Sequence, residues 1–224
     1  MNGYRHEVKH VISTGELLCA RARLQVVARP DPHARDGRYL IRSLYFDSPG
    51  DKALREKRNG TDPREKFRIR LYDLDPSFIR LEKKTRRGQL SRKDSAALTA
   101  REAQAIVDGD LGWMPGCDRP LVRELYVKMH SQALRPRTIV DYTREPYIYG
   151  PGDVRVTFDS GLRTGLRSTD FLDPACVTVP AGDGAVILEL KWGAFLPDII
   201  LDTVNSTLLR PVAFSKYAQS REFF

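Results

Sequence analysis

Apolar and polar positions alternate at period two over several short stretches of the chain, the spacing of strands that present one apolar and one polar face. The pattern is fullest in residues 65–94. Lys66, Arg68, Arg70 and Tyr72 fall on one face there, and Phe67, Ile69 and Leu71 on the other. After the turn Asp73-Leu74-Asp75-Pro76, Phe78, Arg80, Glu82 and Lys84 alternate with Ile79 and Leu81, so the two runs predict a β-hairpin that lines up cations. A strand over Tyr4–Ile12 places Arg5, Glu7 and Lys9 together against Val8 and Ile12. Tyr39–Asp47 is rich in aromatic and branched residues, and further strands are predicted over Gln89–Lys93, Thr138–Tyr142, Val154–Asp159 and Ala185–Trp192. The last of these sets Glu189 and Lys191 opposite Leu188 and Leu190.

Helical spacing falls between the strands. Ser13-Thr14-Gly15-Glu16 has the form of a capping box, and apolar positions then recur at helical period, predicting a helix over 14–28 that stops before Pro30. Ser48-Pro49 precedes a short basic helix, Lys52–Asn59, closed by Gly60. Thr99–Val107, Pro120–Ala133 and Pro197–Leu208 also read as helices, and Ser215 caps a final one. Seven or eight strands joined by turns or single helices predict an α+β, antiparallel fold. Alternation alone leaves two forms open: a barrel with a polar lumen, or a sandwich with an apolar core and its charges outside. No Ser/Gly linker divides the chain, so residues 1–224 read as one domain.

The sign of the charges changes the picture more than their number. A solvated face mixes signs, whereas Lys66, Arg68 and Arg70 repeat one. A like-charged pair about 4 Å apart costs roughly 4 kcal/mol at an effective dielectric of 20. Repetition at that cost points to a polyanionic partner. The formal charge is +8, and it is unevenly spread: residues 1–100 hold 23 Lys/Arg against 13 Asp/Glu, and residues 101–224 hold 14 against 16. A nucleic-acid groove interleaves aromatics with its cations, but only Tyr72 shares the Arg68/Arg70 face, so no nucleic acid is expected. Trp113 and Trp192 read as packing residues, and His6 and His10, across the first strand from Glu7 and Lys9, as structural ones. Cys19, Cys117 and Cys176 are widely spaced, which favours reduced thiols and a cytoplasmic location over a disulfide framework or zinc site. No apolar run reaches 18 residues and the charged N-terminus lacks a signal-peptide core, leaving a membrane-protein partner open.

Nine motifs, in order, resemble one family: YRHEVKHVIS, IRSLYFDSP, REKFRIRLY, LEKKT, LSRKD, VDYTREPY, VRVTFD, ILELK and FSKY, together spanning Tyr4 to Tyr217. The chain is similar to the VTC-type polyphosphate polymerase domain of the triphosphate tunnel metalloenzyme (CYTH-like) superfamily. The resemblance implies a closed antiparallel eight-stranded β-barrel with helices packed outside and a C-terminal helix at one mouth. It implies ATP or another nucleoside triphosphate and inorganic polyphosphate as substrates, and a divalent metal, Mn²⁺ or Mg²⁺. On this reading Lys9, Arg68, Arg70, Lys84 and Lys216 are catalytic cations. Lys66, Lys93, Arg144, Arg155 and Lys191 bind substrate, and Glu189, Glu7 and Glu82 are the candidate metal ligands. Arginine forks suit phosphate oxygens, and Mg²⁺ or Mn²⁺ takes hard carboxylate ligands while leaving positions for phosphate. The chain departs from the pattern at Ala213, where a second basic residue is common, and at Arg5, which stands where the wider superfamily has an acid. Two other activities share these features: hydrolysis of triphosphate or polyphosphate, and polyphosphate binding without catalysis.

Overall fold

The structure, a computed structural model, describes residues 3–204 and 209–222. Its centre is one antiparallel sheet that closes on itself. The wall is built from β1 (Arg5–Ile12), β3 (Tyr39–Asp47), β4 (Arg64–Tyr72), β5 (Asp75–Arg87), β6 (Leu90–Leu98), β7 (Arg135–Tyr149), β8 (Val154–Thr164) and β10 (Val186–Trp192). They run in the order β7-β3-β4-β5-β6-β1-β10-β8, and β8 pairs with β7 to complete an eight-stranded barrel. Two short strands, β2 (Arg29–Pro30) and β9 (Val179–Pro180), attach to β7 and β8. The sandwich alternative is thereby excluded.

Closure turns the usual order of a small barrel inside out. On β4, β8 and β10 the apolar face points outward, beneath helices, and the charged face lines the lumen. Phe67, Ile69, Leu71, Ile79 and Leu81 form one buried cluster with residues of α3 (Ala100–Asp108) and α4 (Pro120–Ser131). A second cluster joins Leu188, Leu190, Val156 and Phe158 to α1 (Thr14–Val27) and α5 (Asp198–Thr203). Burying a Leu or Ile side chain in this way is worth about 1.5–3 kcal/mol, so the outer shell, not the lumen, holds the barrel together. A third cluster, which includes Tyr39, Tyr45, Tyr142 and Tyr217, packs α2 (Lys52–Arg58) and α6 (Lys216–Gln219) against one mouth.

Helix starts follow their capping chemistry. Ser13 with Glu16 and Thr99 with Glu102 each form the full reciprocal capping box, and Ser215 accepts from the Ala218 N–H at the start of α6. Strand ends were less readable. The turn between β4 and β5 is only Asp73-Leu74, both at positive φ (50° and 57°), and Asp75-Pro76 already belongs to β5. The expected Gln89–Lys93 strand continues to Leu98, and the expected Thr138–Tyr142 strand is 15 residues long. Pro136 and Pro146 had hidden its extent, because a proline within a run argues against a central strand. Pro136 falls where the β3–β7 register shifts, and Pro146 where β3 stops pairing with β7 and β2 takes over, so neither removes a required ladder donor. The helix expected to begin at Pro197 covers Asp198–Thr203; residues 205–208 of that expectation, and the last two of the final helix, lie outside the described residues.

Candidate active site

The lumen encloses about 370 Å³. Fifteen Lys or Arg side chains line it against three glutamates, Glu7, Glu65 and Glu189, so its field favours a polyanion. Of the thirteen site residues expected from sequence, twelve border this space: Lys9, Lys66, Arg68, Arg70, Lys84, Lys93, Arg144, Arg155, Lys191, Lys216, Glu7 and Glu189. Glu82 does not. It lies beneath the surface of the cavity, 1% exposed, and both its oxygens are occupied.

The period-two pattern places these groups by cross-strand register. Lys9 pairs with Glu189 and Glu7 with Lys191 on β1 and β10, Arg68 with Glu82 and Lys66 with Lys84 on β4 and β5. Ion pairs then subdivide the wall into stations. Glu82 takes Arg68 Nε and Nη2 at 2.8 and 2.7 Å and Lys93 Nζ at 2.9 Å. Arg68 Nη1 also donates to the Tyr45 hydroxyl at 3.0 Å, while Arg70 donates to Ser43 Oγ and the Tyr142 hydroxyl. Glu82 therefore reads as the counterion that orients a paired-arginine clamp, and its carboxylate sits well below its ordinary pKa because Arg68, Arg70 and Lys93 outweigh its burial.

Asp159 plays the same part at the next station. It accepts Arg144 Nε and Nη2 at 2.7 Å each and Lys216 Nζ at 2.5 Å, fixing the start of α6 to the barrel wall. Arg155 donates to Asp31 at 2.6 Å and to the Tyr39 hydroxyl at 2.8 Å.

The remaining acids face the open lumen. Lys84 Nζ lies 2.6 and 2.7 Å from the two Glu7 oxygens, and Lys191 Nζ 2.7 Å from Glu189 Oε1. Burial and the neighbouring Glu189 push the Glu7 carboxyl up, but Lys9, Lys191 and Lys84 outweigh them and hold it at about 2. Glu189 is likewise held well below the carboxylate range, against its burial, by Lys191, Lys9 and Arg144. Crowding acts oppositely on the lysines. Burial with Lys9 and Lys191 nearby brings Lys84 down to about 7 despite Glu7, and burial with Lys9, Arg68 and Lys57 brings Lys66 to about 8. The lumen thus holds cations that an incoming phosphate would recharge. Among the described residues no cluster of three or more His, Cys, Asp or Glu could by itself hold a metal. Glu7 and Glu189 are two carboxylates, which is the donor set of a Mg²⁺-type ion that takes its remaining ligands from phosphate and water.

Several lumen groups had no sequence signal of their own. Tyr45 and Tyr142 read as strand aromatics, yet their hydroxyls hold Arg68 and Arg70. Burial would raise the Tyr45 phenol, but Arg68, Lys66 and Arg70 pull it to about 7. Asp31, in a polar loop, meets Arg155 across 124 positions of chain, a contact only the barrel can bring about. His6 stacks on Trp192 with ring centroids 5.3 Å apart, and His10 is buried on the outer face, both away from the lumen.

Among solved structures, a Bacillus halodurans protein described provisionally as an adenylate cyclase has 15% identity to the chain. It aligns over 94% of this chain and 95% of its own, with a TM-score of 0.57. The Pyrococcus horikoshii protein PH1819 aligns over 96% of each chain at 13% identity and a TM-score of 0.49. At such identity the first likeness speaks for the shared fold alone. No curated protein matches the chain. The VTC domain profile matches residues 4–224, nearly the whole sequence, on the strands that carry the lumen cations. The chain belongs to the VTC domain family.

Proposed function

We propose that the tunnel transfers the terminal phosphoryl group of ATP, or of another nucleoside triphosphate, to an inorganic polyphosphate chain, with residues 1–224 acting as one catalytic unit. The observation that carries this reading is the pair Glu7 and Glu189, two ionised carboxylates bordering a lumen whose lining is predominantly cationic. Both also serve as counterions, Glu7 to Lys84 and Glu189 to Lys191 and Arg144, so a metal would take over oxygens that these cations now hold. With Mg²⁺ or Mn²⁺ bound, the two carboxylates would hold an ion that neutralises charge on the transferred group and aligns attacking and leaving oxygens. The side chains supply the rest. Arg68 and Arg70, two residues apart on one strand face, lie about 7 Å apart along the strand and grip neighbouring phosphoryl groups. Lys9, Lys84 and Lys216 supply point charges, and Lys66, Lys93, Arg144, Arg155 and Lys191 complete the wall. Glu82 remains the counterion of the arginine clamp.

This reading places the reaction in the cytoplasm, leaves a membrane-protein partner open and expects no nucleic acid among the ligands. Among the described residues, no helix is long and apolar enough to cross a membrane.

Incubating the protein with γ-labelled ATP and Mn²⁺ or Mg²⁺, then separating products by chain length, tests the proposal. Labelled chains longer than the donor's triphosphate are expected. Label appearing only as orthophosphate would replace transfer by hydrolysis. In Glu189→Gln, turnover should fall on the order of 10²-fold or more, the loss typical of one missing electrostatic stabiliser, while metal-free polyphosphate binding stays equal or tightens.

A further inference from the structure

The cations of the tunnel divide into two groups by their partners. Through most of the lumen each one faces a carboxylate: Lys84 with Glu7, Lys191 with Glu189, Arg68 with Glu82, Arg144 with Asp159 and Arg155 with Asp31. At the mouth where β4 begins and β5 ends the pattern stops. Among the described residues Lys57, Arg64 and Arg86 have no carboxylate within ion-pair distance. Lys57 Nζ donates to the Ala213 carbonyl at 2.6 Å, Arg64 Nη1 to the Thr61 carbonyl at 2.8 Å and Arg86 Nε to the Gly88 carbonyl at 2.8 Å. The nearby Asp62 is engaged elsewhere, both its oxygens accepting from the Gly88 N–H.

Arg64 and Arg86 are directly opposed in the β4–β5 ladder, an arrangement that costs stability in any sheet. The repulsion is felt at Arg64 and at the neighbouring Lys57. Burial and Arg86 lower the Arg64 pKa, with Asp62 and Glu56 only partly opposing, and burial, Arg64 and Arg86 lower that of Lys57. Each guanidinium spends one donor on a carbonyl and keeps the others for an incoming acceptor. The three side chains also border a second, outer hollow of about 610 Å³, whose remaining charged lining is Arg58, Asp62 and Glu222. The lumen and this hollow share Lys57, Arg64 and Arg86, so a chain in one continues into the other. Among the described residues no aromatic side chain borders the outer hollow, so none of them supplies the stacking platform that single-stranded nucleic acid uses.

We infer that Lys57, Arg64 and Arg86 form an outer binding station for inorganic polyphosphate, holding the part of the chain that extends beyond the lumen. The inference rests on the polyphosphate reading of the tunnel and adds to it a preference for polymer over triphosphate. A ligand confined to the lumen leaves the rim uncompensated, whereas a longer chain neutralises it.

The test compares tripolyphosphate, long-chain polyphosphate and a single-stranded oligonucleotide at one ionic strength, for wild type and for Arg64→Ser/Arg86→Ser. Removing two opposed like charges should leave the melting temperature equal or higher. Polymer affinity is expected to fall about tenfold and its salt slope by about one to two counterions, with tripolyphosphate affinity changing far less. Arg64→Lys/Arg86→Lys, which keeps the charge, should retain most of the polymer preference. Equal weakening of polymer and tripolyphosphate, or of neither, overturns the outer station. So does an oligonucleotide that binds as tightly as polyphosphate and weakens with it. The lumen reading fails separately, if tripolyphosphate binding is unaffected by Arg68→Ala/Arg70→Ala.

Discussion

Asp159 is 1% exposed and receives three donors from two cations, so its charge decides whether Arg144 and Lys216 are tolerable where they stand. Replacing it by Asn keeps the shape, leaves Lys216 without its carboxylate partner and leaves Arg144 only Glu189, 3.5 Å away. Breaking a buried pair from one side costs about 3–5 kcal/mol, and Asp159→Asn should lower the denaturation free energy by that amount, read from urea midpoints at constant slope. The same carboxylate carries a pH signature. Burial raises its pKa, but Arg144 and Lys216 outweigh burial and hold it at about 2, below the ordinary 3.8. A depressed folded-state pKa stabilises the fold above the unfolded value and loses that contribution as pH falls through the folded one. Acid titration should therefore show a smaller loss of stability between about pH 4 and 2 in Asp159→Asn than in wild type, the remaining loss coming from depressed carboxylates such as Glu7.

At the scale of elements, the C-terminal segment is joined to the barrel through individual hydrogen bonds rather than a strand ladder. The Val212 N–H donates to the Lys9 carbonyl on β1, and the Tyr217 hydroxyl donates to Asp47 Oδ2 at 2.7 Å. Asp47 is fully buried at the end of β3 and also accepts from the Ala53 and Leu54 N–H groups. It thus caps α2 from outside the helix while tying it to α6; Asp51, at the N-cap position itself, has a left-handed backbone and caps nothing. Tyr217→Phe should cost about 1–3 kcal/mol, the penalty for a buried group losing its partner. Hydrogen exchange should locate the effect: amides of residues 216–220 lose protection, while those of β4 keep theirs. If β4 loosens equally, α6 is part of the barrel's cooperative unit.

This coupling also marks the limit of what the chain made readable. Capping boxes, the Lys66–Tyr72 face and the Glu189/Lys191 face were legible because they depend on neighbours within a few positions. Ser48-Pro49 was expected to open α2, and Ser48 Oγ does accept from the Lys52 N–H at 3.2 Å, but the next two N–H groups go to Asp47, a partner chosen by tertiary packing. The full length of β7 and the Asp31–Arg155 contact were hidden because both are set by strands distant in sequence.

For the whole molecule, closing the barrel with charge inside makes the ligand part of the fold's energetics. The outer clusters supply the apolar burial, and the lumen stores cations whose repulsion carboxylates only partly cancel: among the described residues Lys66 and the rim cations Lys57, Arg64 and Arg86 have no carboxylate in ion-pair contact. A bound polyanion removes that repulsion in the folded state, since the unfolded chain has no lumen to offer it. Ligand at about one hundred times its Kd should then add roughly 2.7 kcal/mol of stability, which for a chain of this size corresponds to a rise in Tm of roughly 5–10 °C. The shift should shrink steeply as salt is raised, because exposed and mouth cations are screened over about a Debye length. Arg68→Ala/Arg70→Ala should abolish most of the shift while leaving the ligand-free Tm within a few degrees, because Glu82 keeps Lys93 as a partner. A wild-type Tm insensitive to polyphosphate at low salt would mean that the lumen's positive charge is balanced within the protein and that the tunnel is not a polyanion site.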